Sequence, residues 1–129
     1  MLDFDDIRVY EAIIDAGDPY GVGPSMSIQS EDFFRQMLKN YDGSKDDASL
    51  REWLVGQIRL AFQSIGQPPR WIQGAQWPIR DGKPLVFVGQ LDIARGKSPL
   101  AQELFHDDTS YFVFIPRERG DAEVIMQQF

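Results

Sequence analysis

The chain has 129 residues, a net charge of −7 and no cysteine, so one domain with its own hydrophobic core is expected. A chain without cysteine forms neither a disulfide framework nor a thiolate metal site. It begins without the basic start and apolar run of a signal peptide, and it holds no run of about 20 apolar residues that could cross a bilayer. These features predict a cytoplasmic protein.

The acidic charge is concentrated in the first half of the chain. Residues 1–66 carry twelve acidic and six basic side chains, whereas residues 67–129 carry eight and seven. Such a surface repels the phosphates of nucleic acids and anionic lipids and attracts basic protein surfaces. We therefore expect no nucleic-acid or membrane partner, although a mild acidic excess also serves simply to keep a protein soluble.

The first half of the chain is predicted to be helical. Residues 4–16 carry apolar side chains at steps of three or four, with acidic residues at the start and Gly17 as the stop. The glycine- and proline-rich segment 17–25 is predicted to be a loop with a defined path. A second helix is expected between Ser30, as its cap, and Gly43.

The third helix has the clearest periodicity in the chain. Ser49 and Glu52 match a capping box, and apolar side chains then recur on one face up to Gly66. Gly56 lies inside this helix, where glycine costs about 1 kcal/mol relative to alanine. A close contact with a neighbouring element would explain a glycine at that position.

The second half is predicted to form strands. Residues 70–73 are expected to be a short strand, and Asp81–Gly82 is a turn signal. Residues 85–91 are apolar on both alternating faces, which is typical of a central strand covered on both sides. A short helix to about residue 105 and an antiparallel hairpin of residues 111–115 with 123–126 complete the chain.

These elements predict a single α+β domain over residues 1–129, with 1–66 mainly helical and 67–129 mainly strands. Three N-terminal helices are expected to pack on a small, mostly antiparallel sheet formed by the C-terminal half. One short helix is expected before the last two strands.

One block of the second half resembles a known family. Trp77–Pro78, Pro84–Leu85, Phe87, Gln90 and Asp92 are similar to the signature of the YwqG-like family, a bacterial group of unknown function. The resemblance covers about residues 68–93 and, more weakly, 111–115. It implies no known activity, although related domains occur among proteins proposed as immunity proteins encoded beside bacterial toxins. The chain departs from the family in being shorter and in lacking its glycine-glycine-x-proline element.

Catalytic chemistry has one candidate cluster. His106, the single histidine, follows Glu103 by three residues and precedes Asp107 and Asp108, so an oriented imidazole or a two-carboxylate metal site is feasible. With Asp92, these residues would serve a small-molecule-binding or hydrolytic domain. A helix C-terminus followed by a solvated turn explains the same residues without a site, and Asp92 can equally cap a turn. We therefore predict no catalytic residue, no cofactor and no metal.

Large side chains in the second half can serve either packing or ligand recognition. Gln90 interrupts an apolar strand and needs hydrogen-bond partners if it is buried. A bond to a neighbouring loop backbone is predicted, with recognition of a polar ligand as the alternative. Trp53 is predicted to lie in the core, whereas Trp71 and Trp77 are predicted to cover the sheet edge or line a groove.

The acidic pairs in the sequence are typical of helix starts and turns, but they would form a partner-binding patch if they met exposed aromatic side chains. We predict a non-catalytic protein-binding protein, and specifically an immunity protein that occludes the basic active site of a bacterial toxin. Its partner contacts are predicted at Asp5, Asp6, Tyr41, Asp46 and Asp47. A homo-oligomer formed through an apolar sheet edge is left open.

Overall fold

The computed structural model describes residues 2–43, 46–93 and 109–128. In this part of the chain, three α-helices precede five strands, which confirms the α+β class. The helices are α1 (Ile7–Gly17), α2 (Ile28–Leu38) and α3 (Asp47–Ala61); the strands are β1 (Ile79–Arg80), β2 (Lys83–Pro84), β3 (Val86–Ile93), β4 (Thr109–Ile115) and β5 (Glu123–Gln128). The helix predicted to reach residue 105 lies outside the described residues.

The helices begin earlier than two of the predicted caps. Ser27, not Ser30, is the N-cap of α2, and the two serines form a reciprocal capping box with N–H to Oγ distances of 3.1 and 2.8 Å. In α3 the cap is Asp46, whose carboxylate accepts a hydrogen bond from the N–H of Ser49 at 2.8 Å. In both helices the predicted cap is therefore the third helical residue. The side chain of the true N-cap accepts a hydrogen bond from the backbone N–H of that residue.

α3 also ends earlier than predicted. Phe62 leaves the helical conformation, and the following residues form an isolated parallel bridge between Ser64 and Phe87 of β3. Phe87 donates its N–H to the carbonyl of Gln63, and Ile65 donates its N–H to the carbonyl of Phe87, both at 2.9 Å. Pairing with β3 thus takes these residues out of the helix.

The strands form two antiparallel sheets, whereas one sheet was predicted. β1 and β2 form a hairpin around the predicted turn Asp81–Gly82, where both residues have positive φ values of 54° and 73°. The second sheet has the order β3–β4–β5 and includes the predicted C-terminal hairpin. Residues 70–73, predicted to be a strand, form an irregular loop instead.

The prediction of a central strand covered on both faces is wrong for β3. Among the described residues, β3 pairs along its length with β4 and otherwise only through the isolated bridge at Phe87, so β4 is the central strand. The register pairs Leu91 with Tyr111 and Tyr111 with Met126, which places all three on one face. Leu91 and Met126 on this face are 59% and 53% exposed, whereas Phe87, Phe112 and Phe114 on the opposite face are buried.

A continuous chain of aromatic rings joins the helices to the buried face of this sheet. Phe34 of α2 stacks on Phe62 with centroids 5.9 Å apart, and Phe62 meets the edge of Trp77 at 5.4 Å. Trp77 in turn contacts Phe114 of β4 at 5.3 Å and donates its indole N–H to the carbonyl of Leu85 at 2.8 Å. Trp77 therefore lies in the core between helices and sheet, not at the sheet edge.

Candidate functional site

Two of the predicted partner-binding carboxylates lie at the start of α1. Asp6 is its N-cap and accepts a hydrogen bond from the N–H of Arg8 at 2.9 Å. Asp5 pairs with Arg35 of α2 at 3.1 Å, and the Arg35 guanidinium also lies 4.6 Å from the centroid of the Phe4 ring. The hydrogen bond to Asp5 raises the pKa of Arg35. These two acidic residues start α1 and join it to α2.

The other three predicted residues lie around the start of α3. Asp46 is the N-cap, and Asp47 lies exposed in the first turn. The ring of Tyr41 packs against Trp53 of α3 with centroids 4.9 Å apart. Partial burial raises the pKa of the Tyr41 hydroxyl, and the negative charges of Asp46 and Asp42 raise it further. We call Tyr41, Asp42, Asp46, Asp47 and Trp53 the acidic aromatic patch.

Two members of the acidic aromatic patch were missed in the sequence. Trp53 was predicted to be core, but it is only half-buried. Asp42 was not singled out, although it directly follows Tyr41 in the chain. Gly43 supports the arrangement, because a Cβ at that position would lie 2.9 Å from atoms of the Tyr41 ring.

A groove of about 390 Å³ lies where α2, α3 and the β1–β2 turn meet. α2 and the turn after it supply most of its lining, Gln57 of α3 supplies part of the wall, and Gly82 of the β1–β2 turn lies at its rim. The α2 positions recur at steps of three or four, so they share one helix face. The full lining is Gln29, Asp32, Phe33, Gln36, Met37, Asn40, Gln57 and Gly82, and we call it the amide groove.

The side-chain amides of this groove make no hydrogen bond within residues 2–43, 46–93 and 109–128. Those amides belong to Gln29, Gln36, Asn40 and Gln57. Beneath them, Met37 is buried and Phe33 is half-buried. Sequence reasoning missed this groove because exposed amides on a helix look the same whether they face solvent or one another.

Four other glutamines are used in the opposite way, to hold the loop 70–76 against the sheet. The Gln90 Oε1 accepts the N–H of Arg70 at 2.9 Å, and its Nε2 donates to the carbonyl of Arg70 at 3.2 Å. This confirms the predicted bond from Gln90 to a loop backbone. On the other side of the loop, Gln73 donates its Nε2 to the carbonyl of Gln128 in β5 at 2.8 Å.

Gln127 of β5 makes the densest set of these bonds. Its Oε1 accepts the N–H groups of Ile72 and Gln73, both at 2.9 Å. Its Nε2 donates to the carbonyl of Gly74 and to Oε1 of Gln76, both at 2.8 Å. The Gln127 side chain is only 2% exposed, and its amide makes these hydrogen bonds to protein groups in place of water. We call Gln73, Gln76, Gln90 and Gln127 the loop clamp.

Trp71 completes the attachment of this loop. Its ring packs on Phe112 with centroids 4.3 Å apart, and its indole N–H donates to the carbonyl of Gly21 at 2.8 Å. A Cβ at Gly21 would lie 2.9 Å from the Pro69 side chain, and the φ of Gly21 is 74°. The loop after α1 and the loop before the sheet therefore meet at a position that favours glycine.

Asp92 lies within β3 and has structural partners. It accepts hydrogen bonds from the Ser110 hydroxyl at 2.6 Å and from Gln90 Nε2 at 2.8 Å, and it pairs with Arg70 at 3.4 Å. The Ser110 bond, the Gln90 bond and the charge of Arg70 lower the pKa of this carboxyl. A carboxylate with a lowered pKa is a weak proton acceptor at neutral pH, so Asp92 is poorly suited to be a general base.

The rest of the predicted catalytic cluster, Glu103, His106, Asp107 and Asp108, lies outside the described residues. Among those that are described, no group of three or more histidine, cysteine, aspartate or glutamate side chains could hold a metal ion. No helix in the same part of the chain has the length and apolar character needed to span a membrane.

Comparisons with protein-family models, curated proteins and solved structures found no match to this chain. The resemblance to the YwqG-like family therefore stays a prediction.

Proposed function

We propose that this chain is a non-catalytic protein-binding protein that docks on a basic surface of its partner through the acidic aromatic patch. The observation that carries the proposal is the pairing of Tyr41 with Trp53 beside Asp42 and Asp46. The partner that fits the negative charge of the patch is a toxin whose basic active site the patch covers. The chain then acts as an immunity protein.

The aromatic pair supplies the part of such an interface that contributes most to affinity. Tyrosine and tryptophan are enriched among the residues whose truncation costs most in protein interfaces. Tyr41 and Trp53 are both half-buried, so a partner can cover the remaining ring surface without first rearranging the helices. Their contact with each other limits the rotamer entropy lost on binding.

The carboxylates supply steering and selectivity. Most of the acidic excess lies in residues 1–66, and a field of that sign accelerates encounter with a basic partner at low salt. Toxins that act on nucleic acids or nucleotides need positive charge where they bind phosphate. An acidic surface is therefore complementary to the site that must be blocked.

The test is coexpression of the chain with the product of the adjacent gene, followed by copurification and a growth-rescue assay. The variant Asp42→Lys/Asp47→Lys reverses two charges of the acidic aromatic patch while leaving the α3 cap Asp46 in place. Its matched control is Glu11→Lys/Asp121→Lys, which changes the net charge equally at exposed positions on α1 and before β5.

We expect the patch variant to lose rescue and copurification and the control to retain both. Tyr41→Ala should weaken the complex by at least about tenfold, the loss expected for an aromatic interface anchor. The proposal is wrong if the adjacent product neither binds nor is neutralised, or if the patch variant binds as the wild type does.

A further inference from the structure

We infer that the amide groove binds an extended peptide segment of the partner, about five residues long and carrying a lysine or arginine. The inference rests on the proposed function and adds a second contact region to it. It starts from the four groove amides, Gln29, Gln36, Asn40 and Gln57, which make no hydrogen bond among the described residues.

The chemistry of these amides matches a peptide backbone. Each side-chain amide offers two donor hydrogens and one acceptor oxygen, and each peptide group offers one N–H and one carbonyl. Gln29 and Gln36 are seven residues apart in α2, or about 10 Å along the helix axis, and Asn40 extends the row beyond the helix end. An extended chain advances about 3.3 Å per residue, so about five residues span the row.

The floor of the groove accepts an apolar side chain. Met37 is 8% exposed and Phe33 is half-buried, and both line the cavity below the amides. Methionine adapts its shape to different apolar groups. The volume of about 390 Å³ lies at the small end of the range for ligand sites, which suits the side chains of a short peptide segment.

Charge selects a basic segment. Asp32 is the single charged residue in the groove lining, and it is exposed and forms no ion pair within the described part of the chain. An aspartate at the rim repels phosphates and acidic peptides and attracts a lysine or arginine side chain.

Groove residues and residues of the acidic aromatic patch are also close along the chain. Asn40 directly precedes Tyr41, and Gln57 lies four residues after Trp53, which places the two α3 side chains on the same helix face. A segment seated in the groove therefore leads toward the carboxylates of the patch.

A neutral saccharide is the alternative ligand for this groove. It would form hydrogen bonds with the amides but would gain no electrostatic attraction from Asp32.

The first experiment follows the side-chain NH₂ resonances of ¹⁵N-labelled protein. The probe is the capped pentapeptide acetyl-Gly-Leu-Lys-Leu-Gly-amide, compared with the same peptide carrying glutamate in place of lysine and with maltose. We expect saturable shifts of the Gln36, Asn40 and Gln57 resonances with the lysine peptide, with Kd on the order of 1 mM, and unmoved resonances for the loop clamp. The inference is overturned if the lysine peptide produces no saturable shift, or if the glutamate peptide or maltose binds equally well.

The second experiment separates the groove from the proposed function. Gln36→Leu/Gln57→Leu removes two groove amides, and Gln63→Leu/Gln67→Leu makes the same change at two exposed glutamines outside the groove. The groove variant should bind the adjacent-gene product about tenfold more weakly, whereas the control should bind as the wild type. Loss of binding in Asp42→Lys/Asp47→Lys with unchanged binding in the groove variant would refute the groove and leave the proposed function intact. Peptide shifts in the groove without any binding of the adjacent product would refute the proposed function and the origin of the segment in that partner, and would leave peptide binding by the groove intact.

Discussion

The loop clamp and the amide groove are built from the same functional group and use it in opposite ways. In the loop clamp, both ends of Gln127 bond to the loop 72–76, and both ends of Gln90 have protein partners. In the amide groove, Gln36 and Gln57 hold their amides open toward one cavity. Burial and partners, not residue type, decide whether a glutamine stabilises the fold or remains available to a ligand.

The two regions also differ in the element that carries them. Two members of the loop clamp lie on the strands that flank β4, Gln90 on β3 and Gln127 on β5, so these two side chains reach the loop from both sides. The groove amides follow one face of α2 and meet a single residue of α3. If this contrast is correct, truncation in the loop clamp lowers stability, whereas truncation in the groove lowers binding alone.

The largest expected loss of stability is for Trp71→Ala, which removes the ring that packs on Phe112 and bonds to Gly21. We expect the free energy of unfolding to fall by about 3 kcal/mol, the lower end for large aromatic truncations because the ring is half-buried. Urea denaturation followed by far-UV circular dichroism measures it. Trp71→Phe keeps most of the packing and should lose roughly 1 kcal/mol; equal losses in the two variants would show that packing is unimportant here.

A direct comparison of the two regions is Gln127→Ala against Gln36→Ala. Gln127→Ala leaves two backbone N–H groups and the Gly74 carbonyl without their partner, so we expect a loss of about 2 kcal/mol. Gln36→Ala should stay within roughly 0.5 kcal/mol of the wild type, as exposed positions usually do. Similar urea midpoints for the two variants would contradict the contrast between clamp and groove.

Asp92 accepts a hydrogen bond from Gln90 of the loop clamp, and its titration makes the stability of the fold depend on pH. Its folded-state pKa is lowered by the bonds from Ser110 and Gln90, so its contribution to stability is present above its unfolded pKa of about 3.9. That contribution is lost as the pH falls below this value through the folded pKa. Unfolding free energies measured from neutral pH down to about pH 3 should therefore drop less steeply in Asp92→Asn than in the wild type. Ser110→Ala, which removes the hydroxyl that donates to Asp92 at 2.6 Å, should also reduce the fall in stability at acid pH. A fall as steep as that of the wild type in both variants would refute this role.

A gain in stability, rather than a loss, is expected for Gly56→Ala beside the groove residue Gln57. The predicted close contact at Gly56 is wrong, since among the described residues no atom of a neighbouring element lies within 4 Å of the position that a Cβ would occupy. Alanine should therefore stabilise α3 by up to about 1 kcal/mol, raising Tm by about 3 °C, with peptide binding in the groove unchanged. Gly21→Ala is the opposite control, because its φ of 74° and the nearby Pro69 oppose a side chain. A lower Tm for Gly56→Ala in differential scanning calorimetry would contradict this account.

The parts of the fold that the sequence predicted correctly depend on signals a few residues long. Asp81–Gly82 marks a turn because both residues tolerate positive φ, and the hairpin of β4 and β5 follows from two apolar segments with a short polar connection. The starts of α2 and α3 were predicted three residues too late. Each of these two helices has two candidate cap residues three positions apart, Ser27 and Ser30 in α2 and Asp46 and Ser49 in α3. Periodicity cannot choose between them.

The remaining differences depend on contacts between distant residues. An apolar segment such as residues 85–91 does not indicate how many strands pair with it. The edge position of β3 was therefore not predictable from that segment. Three residues of the acidic aromatic patch, Tyr41, Asp46 and Asp47, were predicted as partner contacts, and that role stays a prediction. Trp53 was assigned to the core because its helix face is apolar elsewhere. The groove forms where α2, α3 and the β1–β2 turn lie close together. No local sequence pattern indicates that these three elements are neighbours in the fold.

Gln127 has a consequence for the order in which the chain folds during synthesis. The N–H groups of Ile72 and Gln73 bond to a side chain that follows them by 55 and 54 residues, so the ribosome makes this loop long before its acceptor. Until β5 emerges, the loop has no partner for these groups except water. We therefore expect a nascent chain halted before residue 123 to leave the loop 70–76 sensitive to protease, and the same loop to become resistant once the last strand is released. β5 would thus complete the attachment of the loop 70–76 only after the strands that precede it have been synthesised.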